Sequence, residues 1–127
     1  MNTEEDKLSN EIIGAAIEVH RHLGPGLLES AYEECFCKEL SIRKIEFERQ
    51  KKLPVIYKGM NLDCGYRLDI VVKNLVIIEL KAVNKIEPIH EAQLLTYLKL
   101  TKLKLGLLVN FNVILLKNGI KRIVNNL

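Results

Sequence analysis

The stretch YRLDIVVKNLVIIELKAV, residues 66–83, decides the fold because it contains the two most strand-like runs of the chain. A polar pair at residues 73–74 separates the two runs, which predicts antiparallel strands joined by a short turn. Three charged residues interrupt the apolar pattern: Asp69, Glu79 and Lys81. Alternate residues of a strand share a face, so Glu79 and Lys81 point the same way and Asp69 lies opposite or next to Glu79. The hairpin is therefore predicted to gather two carboxylates and an ammonium group on one patch.

Such a patch needs a compensating charge, because two close carboxylates repel each other unless a cation, a proton or a basic side chain intervenes. Hard divalent ions take oxygen ligands, and Mg²⁺ commonly uses one or two carboxylates together with phosphate and water. Lys81, two residues beyond Glu79, can hold or deprotonate a water and offset the charge of a phosphate. The patch predicts metal-assisted hydrolysis of phosphodiesters. The alternative is a structural cluster of ion pairs, or a site that has lost its activity.

Periodic patterns on either side of the hairpin predict helices packed against a mixed sheet. The helices have apolar residues at three- and four-residue spacing, whereas the strands alternate and break at Pro54 and at Lys58-Gly59. The predicted elements are helices over about 8–22 and 28–42, alternating strands within 46–72, a strand at 75–80, a helix over about 88–101, and strands at 105–109 and 113–116, with GIKRIVN as a further short strand. The order is α-α-β-β-β-α-β-β.

Length and composition are those of a single domain, residues 1–127, with a polar segment 1–7 that is expected to be flexible. The N-terminus is neither a signal nor a transit peptide, and no apolar run approaches the roughly 20 residues of a membrane span. We therefore expect a cytoplasmic protein without a membrane segment. Residues 82–127 carry seven Lys and Arg against two Asp and Glu, a balance compatible with a polyanionic partner.

Several blocks of the sequence resemble one group of proteins. Asp69, followed after nine residues by Glu79-Leu80-Lys81, resembles the D-x(n)-[DE]-x-K signature of the PD-(D/E)xK nuclease superfamily, and the stretch from Gln93 to Tyr97 resembles its QxxxY element. The blocks GPGLLESAYEE, CGYRLDIVV, IIELKAV, HEAQLLTYLKL and GLLVNFNV are together similar to the GxxExxxR protein family, over about residues 8–124. The sequence departs from these patterns at two positions: Leu68 replaces the motif proline, and Glu33 occupies the position of the arginine in the family's name.

The resemblance implies an α/β fold with a restriction-endonuclease-like core, in which helices flank a mixed sheet and the metal site lies on the central hairpin. It implies that Asp69 and Glu79 bind the metal directly, with the Leu80 carbonyl also available, and that the acidic Glu29 of the early helix approaches it. The implied catalytic set comprises Glu29, Asp69, Glu79, Lys81, Gln93 and Tyr97. Lys81 would position the attacking water, and the Gln93–Tyr97 pair would support the site or touch the phosphate.

The chain is therefore expected to be a Mg²⁺- or Mn²⁺-dependent nuclease that acts on nucleic acid, DNA in the first instance, and it needs no other cofactor. The alternative is a catalytically inactive module on the same scaffold that binds nucleic acid or another protein; divalent-metal binding distinguishes the two. Arg67, two residues before Asp69, would either contact phosphate or neutralise Glu29 or Glu79. A homodimer formed through the apolar first helix is a further hypothesis.

Overall fold

The computed structural model describes residues 3–127; Met1 and Asn2 lie outside the described residues. Two helices come first, five strands follow, and a third helix precedes the last two strands. In chain order the elements are α1 (Glu4–Leu23), α2 (Glu29–Ile42), β1 (Phe47–Lys52), β2 (Val55–Tyr57), β3 (Met60–Leu62), β4 (Arg67–Val72), β5 (Val76–Lys81), α3 (Pro88–Thr101), β6 (Leu105–Asn110), a 3₁₀ turn (Leu116–Gly119) and β7 (Ile120–Val124).

The main sheet has five strands in the order β1-β4-β5-β6-β7. Its neighbours are antiparallel except for the central pair β5–β6, which is parallel and is connected through α3. The predicted mixed sheet flanked by helices is confirmed. The predicted breaks at Pro54 and Lys58-Gly59 delimit β2 and β3, which form a separate two-stranded sheet. Five strands rather than three therefore lie between α2 and α3.

The sheet separates two apolar layers. On one face the larger cluster joins α1 and α2 to inward residues of β4, β5 and β6, and on the other face a smaller cluster packs α3 against the sheet. The apolar residues of α1, among them Leu8, Ile12 and Val19, are buried in the larger cluster. The apolar face of α1, which was suggested as a dimer interface, is thus mostly buried within the protein. Ile17 is the large apolar residue of α1 that stays exposed.

Helix α1 begins earlier than the apolar pattern predicts. The Thr3 hydroxyl accepts a hydrogen bond from the Asp6 N–H at 3.0 Å, and the Asp6 carboxylate accepts one from the Thr3 N–H at 3.4 Å. This reciprocal cap satisfies free backbone donors of the first turn, so the polar residues from Glu4 onward join the helix. Of segment 1–7, which was expected to be flexible, the described part is helical from Glu4, and Asp6 also forms an ion pair with Arg122 of β7.

The strand predicted at 113–116 is wrong. These residues form bends that lead into the 3₁₀ turn, and Ile114 is 90% exposed. The chain doubles back so tightly that a Cβ at Gly119 would lie 2.2 Å from the Asn110 carbonyl oxygen. Only glycine fits there. The short strand predicted in the GIKRIVN stretch is confirmed as β7, which pairs antiparallel with β6. None of the helices within residues 3–127 is long and apolar enough to cross a membrane.

Candidate active site

The hairpin of β4 and β5 brings Asp69 and Glu79 together where its regular pairing stops. Residues 70–72 pair with residues 76–78 in the antiparallel register. Beyond that point the Asp69 N–H donates to Glu79 Oε2 at 2.9 Å, and the Leu80 N–H donates to Asp69 Oδ2 at 2.8 Å. Each carboxylate therefore binds the backbone of the opposite strand. These two hydrogen bonds hold both acidic side chains in place.

The surroundings of this pair disfavour two negative charges. Glu79 is only 6% exposed in the central region of the sheet, and Asp69 is half-buried. Burial, followed by the negative charge of Asp69, raises the pKa of Glu79 to about 8. Burial also raises the pKa of Asp69, although the hydrogen bond from the Leu80 N–H and the charge of Lys81 oppose this. A second negative charge at this pair is thus disfavoured, and a bound cation would offset it.

Lys81 is the nearest basic group on the same strand. It is half-buried and lies on the side of β5 that carries Glu79, whereas Ile78 and Leu80 pack into the larger cluster on the opposite side. Its positive charge lowers the pKa of both Asp69 and Glu79. Within residues 3–127, Lys81 forms no ion pair closer than 4.0 Å. Its ammonium group is available to a water or a phosphate.

Glu29 lies at the rim of this site. It is the first residue of α2 and is exposed, in the turn where the helix dipole favours a negative charge. Partial burial of its carboxyl group and then the charge of Asp69 raise its pKa, whereas the charge of Lys81 lowers it. Glu29 is therefore close enough for the charges of Asp69 and Lys81 to affect its pKa.

The donors fit a hard divalent cation. Asp69 and Glu79 offer carboxylate oxygens, which are the ligands that Mg²⁺ and Mn²⁺ prefer. In the part of the chain that the structure describes, no three His, Cys, Asp or Glu side chains form a group that could hold a metal. Glu29 therefore stands apart from the pair, and its role as a ligand stays a prediction. Mg²⁺ accepts such a site because it keeps several of its waters.

Gln93 and Tyr97 lie on α3, on the side of the sheet that Glu79 faces. Tyr97 is 7% exposed and packs with apolar residues of β4 and β5. Burial and then the charge of Glu79 raise the pKa of its phenol, and the Gln93 side chain lowers it. The ring of Tyr66 meets that of Tyr97 edge-on, with 6.1 Å between the centroids. The helix therefore places Tyr97 where the charges of Glu79 and Asp69 act on its phenol.

Sequence reasoning missed a second group of polar side chains behind Asp69. The Gln50 amide donates to Glu33 Oε1 at 2.9 Å and to Asp69 Oδ1 at 3.5 Å. Glu33 is buried and also accepts a hydrogen bond from Arg49 at 2.6 Å. Gln50 has a φ of +53°, a backbone conformation that is unfavourable for residues other than glycine. This strained position turns its amide towards Asp69. The only signal in the sequence was a polar run in β1, which does not reveal its partners.

Comparison with known proteins identifies the superfamily of this chain. The model of the PD-(D/E)XK nuclease superfamily matches residues 6–123, nearly the whole chain. No curated protein and no solved structure gives a match. The matched range includes both strands of the carboxylate hairpin and helix α3 with Gln93 and Tyr97. The chain belongs to the PD-(D/E)XK nuclease superfamily.

Proposed function

We propose that this protein is a Mg²⁺- or Mn²⁺-dependent nuclease that hydrolyses phosphodiester bonds in nucleic acid. The observation that carries the proposal is the pair of half-buried Asp69 and buried Glu79, which is held by reciprocal hydrogen bonds from the backbone and has a free lysine beside it. Such a pair is unfavourable for folding, since burial raises the pKa of both carboxyl groups, the charge of Asp69 raises that of Glu79 further, and the charge of Glu33 raises that of Asp69. A role in binding a cation explains why both are present.

In this proposal Asp69 and Glu79 hold the cation, and the Leu80 carbonyl is a further oxygen donor. A divalent ion bound there would supply positive charge to the phosphate and acidify a water. Lys81 orients the attacking water and offsets the charge that develops on the phosphate. Glu29 attracts the hydrated cation from the rim of the site. Gln93 and Tyr97 limit access of solvent from the α3 side and keep the Glu79 carboxylate in position.

Four finer assignments accompany this proposal. The five sequence blocks support membership of the GxxExxxR family within the superfamily. The basic balance of residues 82–127 supports a polyanionic substrate, with DNA as the first to test. We also propose the cytoplasmic location that was expected from the sequence. Homodimerisation is the weakest of the four, because the apolar face of α1 is buried in the core; sedimentation at several concentrations tests it.

The test is cleavage of plasmid DNA, single-stranded DNA and RNA in the presence of Mg²⁺ or Mn²⁺. We expect Lys81→Ala to fold normally, because Lys81 forms no ion pair in the described structure, but to lose about 10²–10⁴-fold in turnover. Lys38→Ala is the matched control, since this lysine is exposed on α2 and should leave turnover unchanged. Circular dichroism and thermal melting check the folding of both variants.

Two outcomes would contradict the proposal. Equal turnover in the wild type and Lys81→Ala would remove the lysine from the mechanism and indicate a contaminating nuclease. Absence of cleavage in the wild type, together with calorimetry that detects no divalent ion bound through Asp69 and Glu79, would leave the alternative function. The protein would then be an inactive module that binds nucleic acid or another protein.

A further inference from the structure

The chain between β1 and β4 forms an arm, defined here as residues 53–66, that stands outside the main sheet. Its strands β2 and β3 pair only with each other, through Val55–Leu62, Ile56–Asn61 and Tyr57–Met60. The base of the arm is closed by the Leu53 N–H, which donates to the Tyr66 carbonyl at 3.0 Å. An ion pair of 2.9 Å between Lys52 and Asp63 closes it further. The arm is thus anchored at its base and free towards its tip.

One face of the arm is apolar and uncovered. Directly paired residues of two antiparallel strands share a face, so Val55, Leu62, Tyr57 and Met60 form one continuous strip. Tyr57 is 56% exposed, Met60 57% and Leu62 40%. A two-stranded sheet of three-residue strands gains little stability in water from such a surface. Large exposed apolar side chains grouped in this way indicate a surface that binds something.

Cations border this strip. The Lys58 ammonium lies 5.4 Å from the centre of the Tyr57 ring at the tip of the arm. Arg67 follows the arm directly; it is exposed and donates to the Tyr66 carbonyl, and in residues 3–127 it forms no ion pair. It therefore does not neutralise Glu29 or Glu79. Of the four Lys and Arg in residues 50–67, Lys51 pairs with Glu48 and Lys52 with Asp63, so Lys58 and Arg67 are the two whose charges face a partner. An anionic partner fits this border better than a second copy, in which two such arms would bring like charges together.

The arm is continuous with the candidate active site. Arg67 precedes Asp69 by two residues, which is about 7 Å along a strand. Tyr66, at the base of the arm and 46% exposed, meets Tyr97 edge-on, and Tyr97 lies in the field of Glu79. A chain that runs along the apolar strip would therefore pass Tyr66 and Arg67 before it reaches the carboxylate pair.

We propose that the arm binds unpaired nucleotides of the substrate strand and leads them to the carboxylate pair. Bases stack on Tyr57 and Tyr66, and phosphates bind Lys58 and Arg67. Stacking requires a free base face, which a single strand or a frayed end offers and an intact duplex does not. This inference rests on the proposed function, to which it adds a preference for single-stranded nucleic acid.

The test measures binding without cleavage. Fluorescence anisotropy with an oligothymidylate of about 12 nucleotides is recorded in EDTA, where no divalent ion supports turnover, beside a blunt duplex of equal length. We expect Tyr57→Ala to weaken binding of the single strand about 5- to 150-fold, and Tyr57→Phe to retain it. Lys58→Ala should lower the slope of log Kd against log salt by about 0.7. Both residues are exposed, so thermal melts of the variants should match the wild type.

Matched controls are Ile114→Ala and Lys117→Ala, an exposed apolar residue and an exposed lysine in the loop near α1, which should bind as the wild type does. Equal affinity of Tyr57→Ala and the wild type, or tighter binding of the duplex than of the single strand, would overturn the inference. So would a Tyr57→Ala variant that changes a dimer into a monomer without a change in oligonucleotide affinity. If the wild type binds single strands through the arm but never cleaves them, the proposed nuclease function fails and the binding role of the arm stands. If the wild type cleaves and the arm variants bind as it does, the nuclease function stands and the binding role of the arm fails.

Discussion

Glu79 and Asp69 show how the site conflicts with stability at the level of single residues. Both side chains interrupt an otherwise apolar hairpin, and burial disfavours the charged form of each. A leucine or valine at either position would suit the sheet better. The hydrogen bonds from the Asp69 and Leu80 backbone reduce the conflict but do not remove it, since the pKa of Glu79 stays raised. Folding alone therefore does not explain the acidic pair, which supports the proposed role of the pair in binding a cation.

This conflict predicts a dependence of stability on pH. The pKa of Glu79 is about 8 in the folded protein, above its usual 4.5, so the folded state binds the proton more tightly than the unfolded chain. The stability of the metal-free protein should therefore fall as the pH rises from about 4.5 to about 8. Glu79→Gln, which cannot ionise, should be more stable than the wild type at pH 8.5 by about 1–3 kcal/mol, and equal to it at pH 5.

Urea unfolding in EDTA at the two pH values measures this difference. Glu46→Gln is the control, because Glu46 is exposed and should show no pH-dependent difference from the wild type. A Glu79→Gln variant that is less stable than the wild type at pH 8.5 would contradict the expected sign.

At the level of elements, α3 and β6 approach each other more closely than a side chain at Gly106 would allow. A Cβ at this position would lie 2.9 Å from three atoms of the Leu94 side chain. Leu94 is fully buried on α3, one turn from Tyr97 and adjacent to Gln93. The close contact of helix and strand therefore determines how deeply α3, with Gln93 and Tyr97, lies against the side of the sheet that Glu79 faces.

Gly106→Ala is expected to destabilise the protein by about 1–3 kcal/mol, because the well-packed Leu94 must move to accept the methyl group. Gly14→Ala is expected to stabilise the protein instead. Gly14 lies within α1, and a Cβ there would contact only the end of the flexible Arg43 side chain at 3.3 Å. Alanine also favours a helix over glycine by about 1 kcal/mol. Denaturant unfolding compares the two, and a Gly106→Ala protein as stable as the wild type would show that α3 can shift at no cost.

At the level of the whole molecule, the site is assembled from distant parts of the chain. Glu29 comes from α2, the carboxylate pair from the β4–β5 hairpin, and Tyr97 from α3, on both sides of one sheet. Because these parts meet only in the folded state, a cation that binds the site stabilises folding as a whole. The unfolded chain has no such site.

Mg²⁺ or Mn²⁺ should therefore raise the melting temperature of the wild type. At a hundredfold excess over Kd the stabilisation is about 2.7 kcal/mol. The double variant Asp69→Asn/Glu79→Gln should show no increase, whereas Glu46→Gln should respond as the wild type does. Differential scanning calorimetry with and without the metal measures the shift, and an equal increase in the double variant would place the cation elsewhere.

The sequence by itself determined the framework of the fold and named the candidate residues of the site. The apolar runs in residues 66–83 predicted the hairpin, and alternation along β5 predicted that Glu79 and Lys81 lie on the side opposite to Ile78 and Leu80, because alternation depends only on neighbours along the chain. The helix ending before Gly24 and the helix beginning at Pro88 were predicted for the same reason. The strand predicted at 113–116 failed because its apolar residues continue a local pattern, whereas the tight contact of Gly119 with Asn110 turns the chain away.

Only the tertiary structure decided what surrounds these residues. Gln50 meets Asp69 across 19 positions of sequence, and Tyr66 meets Tyr97 across the boundary between arm and helix. No local pattern encodes such contacts, because they depend on which strands pair and on how deeply each side chain is buried. The raised pKa of Glu79 has the same origin, since burial and the approach of Asp69 cause it together. The sequence therefore predicts which groups can act, and the packing of distant elements determines the charge, position and access of each.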